Sequence, residues 1–275
     1  MSLLYADVSE HNSISHMRNV DGVMIRSSWG HFTKDAKLAK HVSLAESAGI
    51  PYGFYHYSYA LNVSQAKEEV SGMINLIKHY KPTLPIAIDM EDADGYKAKH
   101  GNPSKQILTD ICEEFCYQLE KAGYYAMIYA NLDWWKNKLI MSQLTKYDRW
   151  LAQWGVSKPS LKCGIWQYTS AGRVNGFNGN VDLSESYHDY ASIIKEQGLN
   201  NYKNTGNSTT GQTSKTFKVG DSVKITKNVD YNGTKLDSWV LNATFEIIEI
   251  SGNRIVIGRN GAVTAAMNKA NLKRA

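Results

Sequence analysis

Two acids stand two residues apart at the end of an apolar run, Leu84-Pro85-Ile86-Ala87-Ile88-Asp89-Met90-Glu91. The run reads as a buried strand, and side chains at i and i+2 of a strand leave on the same face. Asp89 and Glu91 therefore point together toward a side where apolar residues normally sit. Crowding and partial burial disfavour two ionised carboxylates, so at least one pKa must rise. A carboxyl group with a raised pKa is what a general acid needs near neutral pH. Taken alone, the pair is equally compatible with solvated acids at a strand end or acids capping the next helix.

The elements around the pair give it a context. Leu4–Val8 and Gly22–Trp29 read as strands, Tyr52–Tyr59 as an aromatic strand, and Tyr124–Ala130, Arg149–Trp154 and Gly164–Tyr168 as later strands. Between them, Lys37–Ala48 and Ser64–Tyr80 carry apolar residues at helical spacing, and Asn102-Pro103-Ser104 opens a third helix closed by Gly123. This β-α alternation implies parallel strands with helices packed outside, and a closed barrel, since no glycine-rich phosphate loop follows the first strand. In such a barrel the strand C-termini form the active-site face. Asp7, Arg26, Tyr57, Tyr59, Asp89, Glu91, Tyr129, Trp154 and Gln167 all fall at strand ends, although each aromatic among them could also be rim packing.

Composition narrows the class. The 275 residues are 43% hydrophobic and 21% charged, as in an ordinary globular protein. No apolar run approaches the roughly 20 residues of a membrane span, and the N-terminus does not read as a secretory signal. Three cysteines, Cys112, Cys116 and Cys163, make no disulfide framework and are expected to be core thiols. Neither the cysteines nor the eight histidines fall at zinc-binding spacings, so no metal or cofactor is expected. The net charge of +5 sits wholly in residues 212–275, with ten basic and five acidic side chains; the remainder balances at 21 of each. That segment is either a module meeting a polyanionic surface or a small domain with solubilising lysines. Residues 196–214 are nearly free of apolar side chains and read as a flexible linker. Short strands and tight turns follow, including Trp239-Val240 and a hairpin at Ser251-Gly252-Asn253. The chain is thus expected to hold a barrel at 1–195, a linker at 196–214 and a small all-β domain at 215–275.

Residues 1 to about 190 resemble glycoside hydrolase family 25, the lysozymes of phage and bacterial wall turnover. The resemblance rests on Tyr5-Ala6-Asp7-Val8-Ser9, Gly53-Phe54-Tyr55-His56-Tyr57, Ile86–Glu91, Tyr129-Ala130-Asn131, Trp166-Gln167-Tyr168 and Val181-Asp182-Leu183-Ser184. It implies a TIM-like β/α barrel whose site holds Asp7, Asp89, Glu91 and Asp182, with Glu91 as the general acid toward an oxocarbenium-like transition state. Asp89 would either attack directly or orient the substrate's own N-acetyl oxygen. Carboxylates two apart on one strand point to retention rather than to the ~6.5–9.5 Å separation of inverting enzymes. Tyr57, Tyr59, Tyr129, Trp154 and Gln167 would contact sugar, and Arg26 would either join them or pair with Asp7 or Asp182.

Residues 215–275 resemble the SH3-like wall-binding domains of phage endolysins, on Lys218–Val223, Trp239-Val240 and Val256-Ile257-Gly258. Tyr231 and Trp239 are the candidate ligand contacts, with Trp239 alternatively a core residue. The resemblance implies a muramidase that cuts the β-1,4 bond after N-acetylmuramic acid in the peptidoglycan of Gram-positive walls. It would need no nucleic acid and insert in no membrane. It would collect in the host cytoplasm and reach the wall through a membrane pore. A chitinase-like endo-N-acetylglucosaminidase is a rival, but the acid-rich run before the catalytic Glu in such chitinases is absent here. A wall-binding protein without activity is the non-enzymatic rival.

Overall fold

The computed structural model describes residues 2–202 and 217–275. Eight strands build the first part: β1 (Leu3–Val8), β2 (Gly22–Trp29), β3 (Tyr52–Tyr57), β4 (Ile86–Asp89), β5 (Ala126–Asn131), β6 (Asp148–Ala152), β7 (Ile165–Gly172) and β8 (Val181–Ser186). They pair in the order β1-β8-β7-β6-β5-β4-β3-β2, and pairing of β1 with β2 closes the ring. Helices α1 (Leu38–Ala48), α2 (Val63–Ile77), α3 (Tyr96–Lys99), α4 (Lys105–Lys121) and α5 (Tyr190–Gln197) complete a closed α/β barrel. Local chemistry sets the helix starts: Asn62 caps α2 by accepting from Gln65 N at 3.0 Å, and Ser104 caps α4 through Ile107 N at 3.3 Å.

Two expectations about the barrel need correction. The strands are not all parallel: β8 runs antiparallel to both β7 and β1. The cause is the short connection from Gly172 to Val181, since a parallel return needs a crossover of a dozen or more residues. Nor does a helix follow every strand. A five-residue π-type turn, Trp134–Lys138, follows β5, and the β6–β7 connection holds no helix.

The strand period of two divides the core. Tyr5, Met24, Tyr55, Ala87, Met127 and Trp150 fill the lumen, while Ala6, Val23, Ile25, Phe54, Ile88 and Ile128 face the helices. All three cysteines are buried and unpaired, Cys112 and Cys116 on the inner face of α4.

Residues 196–202, expected to open the linker, are ordered chain. Helix α5 runs to Gln197, Gly198 caps it, and Leu199 and Asn200 are fully buried beneath the barrel. Asn200 donates to the carbonyls of Pro82 and Leu84 and accepts from Tyr125 N. The rest of the expected linker, residues 203–214, lies outside the described residues.

Residues 217–275 form five antiparallel strands, β9 (Ser222–Ile225), β10 (Thr244–Ser251), β11 (Arg254–Arg259), β12 (Ala262–Asn268) and β13 (Leu272–Arg274), in the order β12-β11-β10-β9-β13. Val223, Phe245, Ile247, Ile255, Ile257 and Met267 make a separate core. The β10–β11 hairpin turns at Gly252-Asn253 as expected. Trp239-Val240, expected as a strand, instead lies in the 3-10 turn Ser238–Asn242, which buries Val240 and leaves Trp239 48% exposed.

Candidate active site

Strand register assembles the acids. Asp7, near the end of β1, is the direct partner of Asp182 on β8. Tyr57 of β3, Asp89 of β4 and Tyr129 of β5 stand in one row of paired positions, and Tyr129 pairs with Trp150 on β6. Glu91 lies two residues past Asp89 on the same side, and Met90 N still donates to Tyr129 O at 2.9 Å. The four acids, Arg26, Tyr57 and Tyr129 line one cleft of about 160 Å³ together with Tyr55 and Trp150. Carboxylates far apart in sequence thus meet at the C-terminal mouth of the barrel.

Burial decides their ionisation. Asp7 and Asp89 are 7% and 6% exposed. The pKa of each is held well above the ordinary carboxylate range by loss of water, reinforced by Asp182 beside Asp7 and by Glu91 beside Asp89. Asp182 is raised by burial and pulled back by a hydrogen bond from Asp7. Glu91 is pushed up to about 7, by burial first; the Lys97 ammonium pulls it down and the Asp182 charge pushes it up. One oxygen of Asp89 is buried without a hydrogen-bond partner.

Lys97 is the residue that sequence reasoning missed. Helix α3 carries it beneath the cleft, 2% exposed, where it donates to the backbone carbonyls of Ser58 and, at 2.8 Å, Glu91. Its ammonium lies 5.8 Å from the Tyr57 ring centroid and 5.9 Å from that of Trp134. Burial lowers its pKa, while Asp89, the leading opposing charge, supports its protonated form. It fixes the backbone of Glu91 and places a buried positive charge near the acids. Tyr55 and Trp150 were also missed, because in sequence they read as ordinary strand aromatics.

Gln167 supports the site rather than lining the cleft. Its amide nitrogen donates to Asp7 Oδ2 at 3.0 Å, and its amide oxygen accepts from Tyr129 Oη and Trp154 Nε1, each at 3.2 Å. Trp154 itself is 53% exposed. Tyr59 stands apart from the acids, in an adjoining pocket of about 430 Å³ with Trp29, Glu10 and Asp94. There its hydroxyl donates to Asp94, as does that of Tyr57. Arg26 and Tyr57 border both spaces, so the two are continuous. Arg26 pairs with neither Asp7 nor Asp182, as one expectation had it. Its Nε meets Asp35 at 2.9 Å and its Nη2 meets Glu10 at 3.0 Å, because both acids reach it from loops outside the strand ring.

The two candidate wall contacts separate. Trp239 borders an open groove of about 620 Å³ with Asn242, Arg259 and Asn260. Tyr231 does not face solvent: it is 3% exposed and stacked on Tyr125 of the barrel, with centroids 5.9 Å apart. Its ring completes the apolar layer under the lumen, which corrects its assignment as a ligand contact.

The family model for glycosyl hydrolases family 25 matches residues 6–177. The autolytic lysozyme of Clostridium acetobutylicum is 29% identical over 168 residues, covering 60% of this chain and 48% of the relative. Lysozyme M1 of Streptomyces globisporus is 28% identical over 181 residues, covering 62% and 61%. The chain therefore spans about half to three fifths of the length of these curated relatives. Among solved structures, the modular autolysin LytC of Streptococcus pneumoniae, studied in complex with a synthetic peptidoglycan ligand, superposes with a TM-score of 0.61 at 26% identity, covering 68% of this chain and 47% of that one. With the matched span covering more than half of its length, the chain belongs to glycosyl hydrolases family 25.

Proposed function

We propose that this protein is a muramidase, hydrolysing the β-1,4 bond between N-acetylmuramic acid and N-acetylglucosamine in peptidoglycan. The observation that carries the reading is Glu91, pushed up to about 7 in a cleft shared with three more acids. Such a carboxyl holds its proton near neutral pH and can deliver it to the leaving glycosidic oxygen. Asp7, Asp89 and Asp182 would surround the sugar carbon as it turns positive, and that developing cation would draw a carboxyl of the cluster into its ionised form. Tyr57 and Tyr129 would hold the sugar ring. In its wider role the protein would act as a phage endolysin on Gram-positive walls, reaching them from the host cytoplasm through a membrane pore. Residues 217–275 would then be an SH3-like wall-binding domain with Trp239 as its contact. Named lytic relatives, the basic C-terminal segment and the open groove beside Trp239 support this role.

The test is mass spectrometry of soluble fragments from purified peptidoglycan, digested by the wild type and by Glu91→Gln. N-acetylmuramic acid at the new reducing ends, from the wild type alone, is expected. N-acetylglucosamine ends would transfer the reading to the glucosaminidase class, and no cleavage by the wild type would end it.

A further inference from the structure

The basic C-terminal segment reads in sequence as an appendage on a linker, yet its contacts describe something else. Glu120, Tyr125, Lys146 and Asp148 lie at the N-terminal ends of β5 and β6 or just before them, so they mark the end of the barrel opposite the acids. Residues of the five-stranded module meet this end with buried side chains. Tyr231 belongs to the same apolar cluster as Tyr5, Tyr125, Tyr190, Ile194 and Leu199. It lies flat on Tyr125, with ring planes 17° apart. Tyr125 Oη donates to Asn232 Oδ1 at 3.1 Å, and Gln197 Nε2 donates to Tyr231 O at 2.8 Å.

A second, polar contact is equally enclosed. Glu120, at the end of α4, is 2% exposed and Arg254, opening β11, is 4% exposed; their closest nitrogen and oxygen are 3.7 Å apart. Removing one partner of a buried pair leaves the other charge uncompensated. Beside them Gly252 turns at φ +56°, and a Cβ there would fall 2.1 Å from the Glu120 carbonyl oxygen. Only a glycine lets the β10–β11 hairpin approach this closely. Lys146 bridges Glu113 of the barrel and Glu249 of the module at 2.9 and 3.0 Å. An aromatic plug, a buried ion pair and a steric fit at a glycine are independent features, and a loosely tethered domain needs none of them.

We propose that the C-terminal module is the floor of the catalytic barrel, an intramolecular partner docked through Tyr231 and Arg254, and that barrel and module unfold as one cooperative unit. The barrel end it covers is apolar: Tyr5, Tyr125, Tyr190 and Leu199 would lose part of their cover without Tyr231. This role is separate from wall recognition and stands whether or not Trp239 binds a wall ligand.

The experiment uses the full chain. Scanning calorimetry of the wild type is expected to give one transition. Tyr231→Ala should lower the temperature of barrel unfolding by roughly 5–15 °C, as expected for truncating a buried aromatic in a domain of this size. Trp239→Ala, which alters the exposed groove, should leave the transition in place. In a second form, a protease site inserted between residues 203 and 216 lets the connection be cut after folding. The two pieces are then expected to elute together in gel filtration. Two separate transitions in the wild type, or pieces that part on cutting, would overturn the proposal, even if the muramidase reading held.

Discussion

Asp7 and Asp182 are direct partners across the β1–β8 pairing, and their carboxyl groups are hydrogen-bonded to each other. Two carboxyls can share a hydrogen bond only if one of them keeps its proton. Burial and the Asp182 charge push Asp7 well above the ordinary carboxylate range and burial raises Asp182 as well, so the pair holds a proton between its two carboxyls. The contact exists because β8 alone runs against its neighbours, which sets its second residue beside the end of β1. Asp182 thereby keeps a share of negative charge that reaches Glu91 and helps to hold its proton.

Glu91→Gln is expected to cost about two to four orders of magnitude in hydrolysis, the usual contribution of a general acid. It should also stabilise the fold at high pH. Glu91 is raised from 4.5 to about 7, so its favourable contribution is complete below about 4.5 and is lost as pH rises through 7. Gln carries no such loss. The variant should therefore be more stable than the wild type at pH 8, by on the order of 3 kcal/mol, with the difference vanishing near pH 4. Urea denaturation of both proteins at the two pH values checks this; equal stability at pH 8 would contradict the buried-acid account.

The rate should fall as pH rises through the Glu91 pKa, since only the protonated acid donates. Asp182→Asn removes a charge that raises this pKa. The descending limb of kcat/KM, measured on soluble glycan fragments, should then move to lower pH. A limb that stays in place would remove Asp182 from the electrostatics of the acid.

Gln167→Leu leaves Asp7 Oδ2 without a donor and Tyr129 Oη and Trp154 Nε1 without their acceptor. Asp7 and Tyr129 are buried, and each buried group left unpaired costs about 1–3 kcal/mol, whereas the exposed Trp154 can turn to water. Thermal melts should show a loss of that order, and KM should rise because Trp154 and Tyr129 lose their common anchor. Gln167→Glu should restore the two contacts made by the amide oxygen but not the one to Asp7.

Trp239→Ala should weaken sedimentation with purified walls by roughly tenfold, the scale of losing one well-packed aromatic contact. Hydrolysis of soluble fragments should not change. Unchanged sedimentation would take the groove out of the wall-binding reading.

Much of the site is legible in the residue order. Asp7, Asp89 and Glu91 fall at strand ends that the residue pattern marks, and the Asp89–Glu91 spacing aims that pair to one side; Asp182 comes from the family resemblance alone, since its strand is not read from the pattern. Helices α1, α2 and α4 are likewise written in their spacing and caps. Lys97 is not legible, because its partners are the carbonyls of Ser58 and Glu91, which only the folded loops bring to it. The reversal of β8 hides in the length of one connection. Tyr231 reads like any aromatic in a loop, since nothing local records that its ring will lie on Tyr125, more than a hundred residues earlier. Arg26 is visible as a charged residue within a strand pattern, but its partners Glu10 and Asp35 come from loops without regular pattern.

The crowding of the acids also governs what the cleft presents to an approaching polymer. Burial pushes Asp7, Asp89, Glu91 and Asp182 all toward the protonated form, so the mouth of the barrel is less negative than four free carboxylates would make it. Bacterial walls are themselves polyanions, and a fully ionised cluster would repel them across a Debye length of about 8 Å in physiological salt. By holding protons in place of charge, the site would lower that repulsion toward the wall glycan of the proposed reaction.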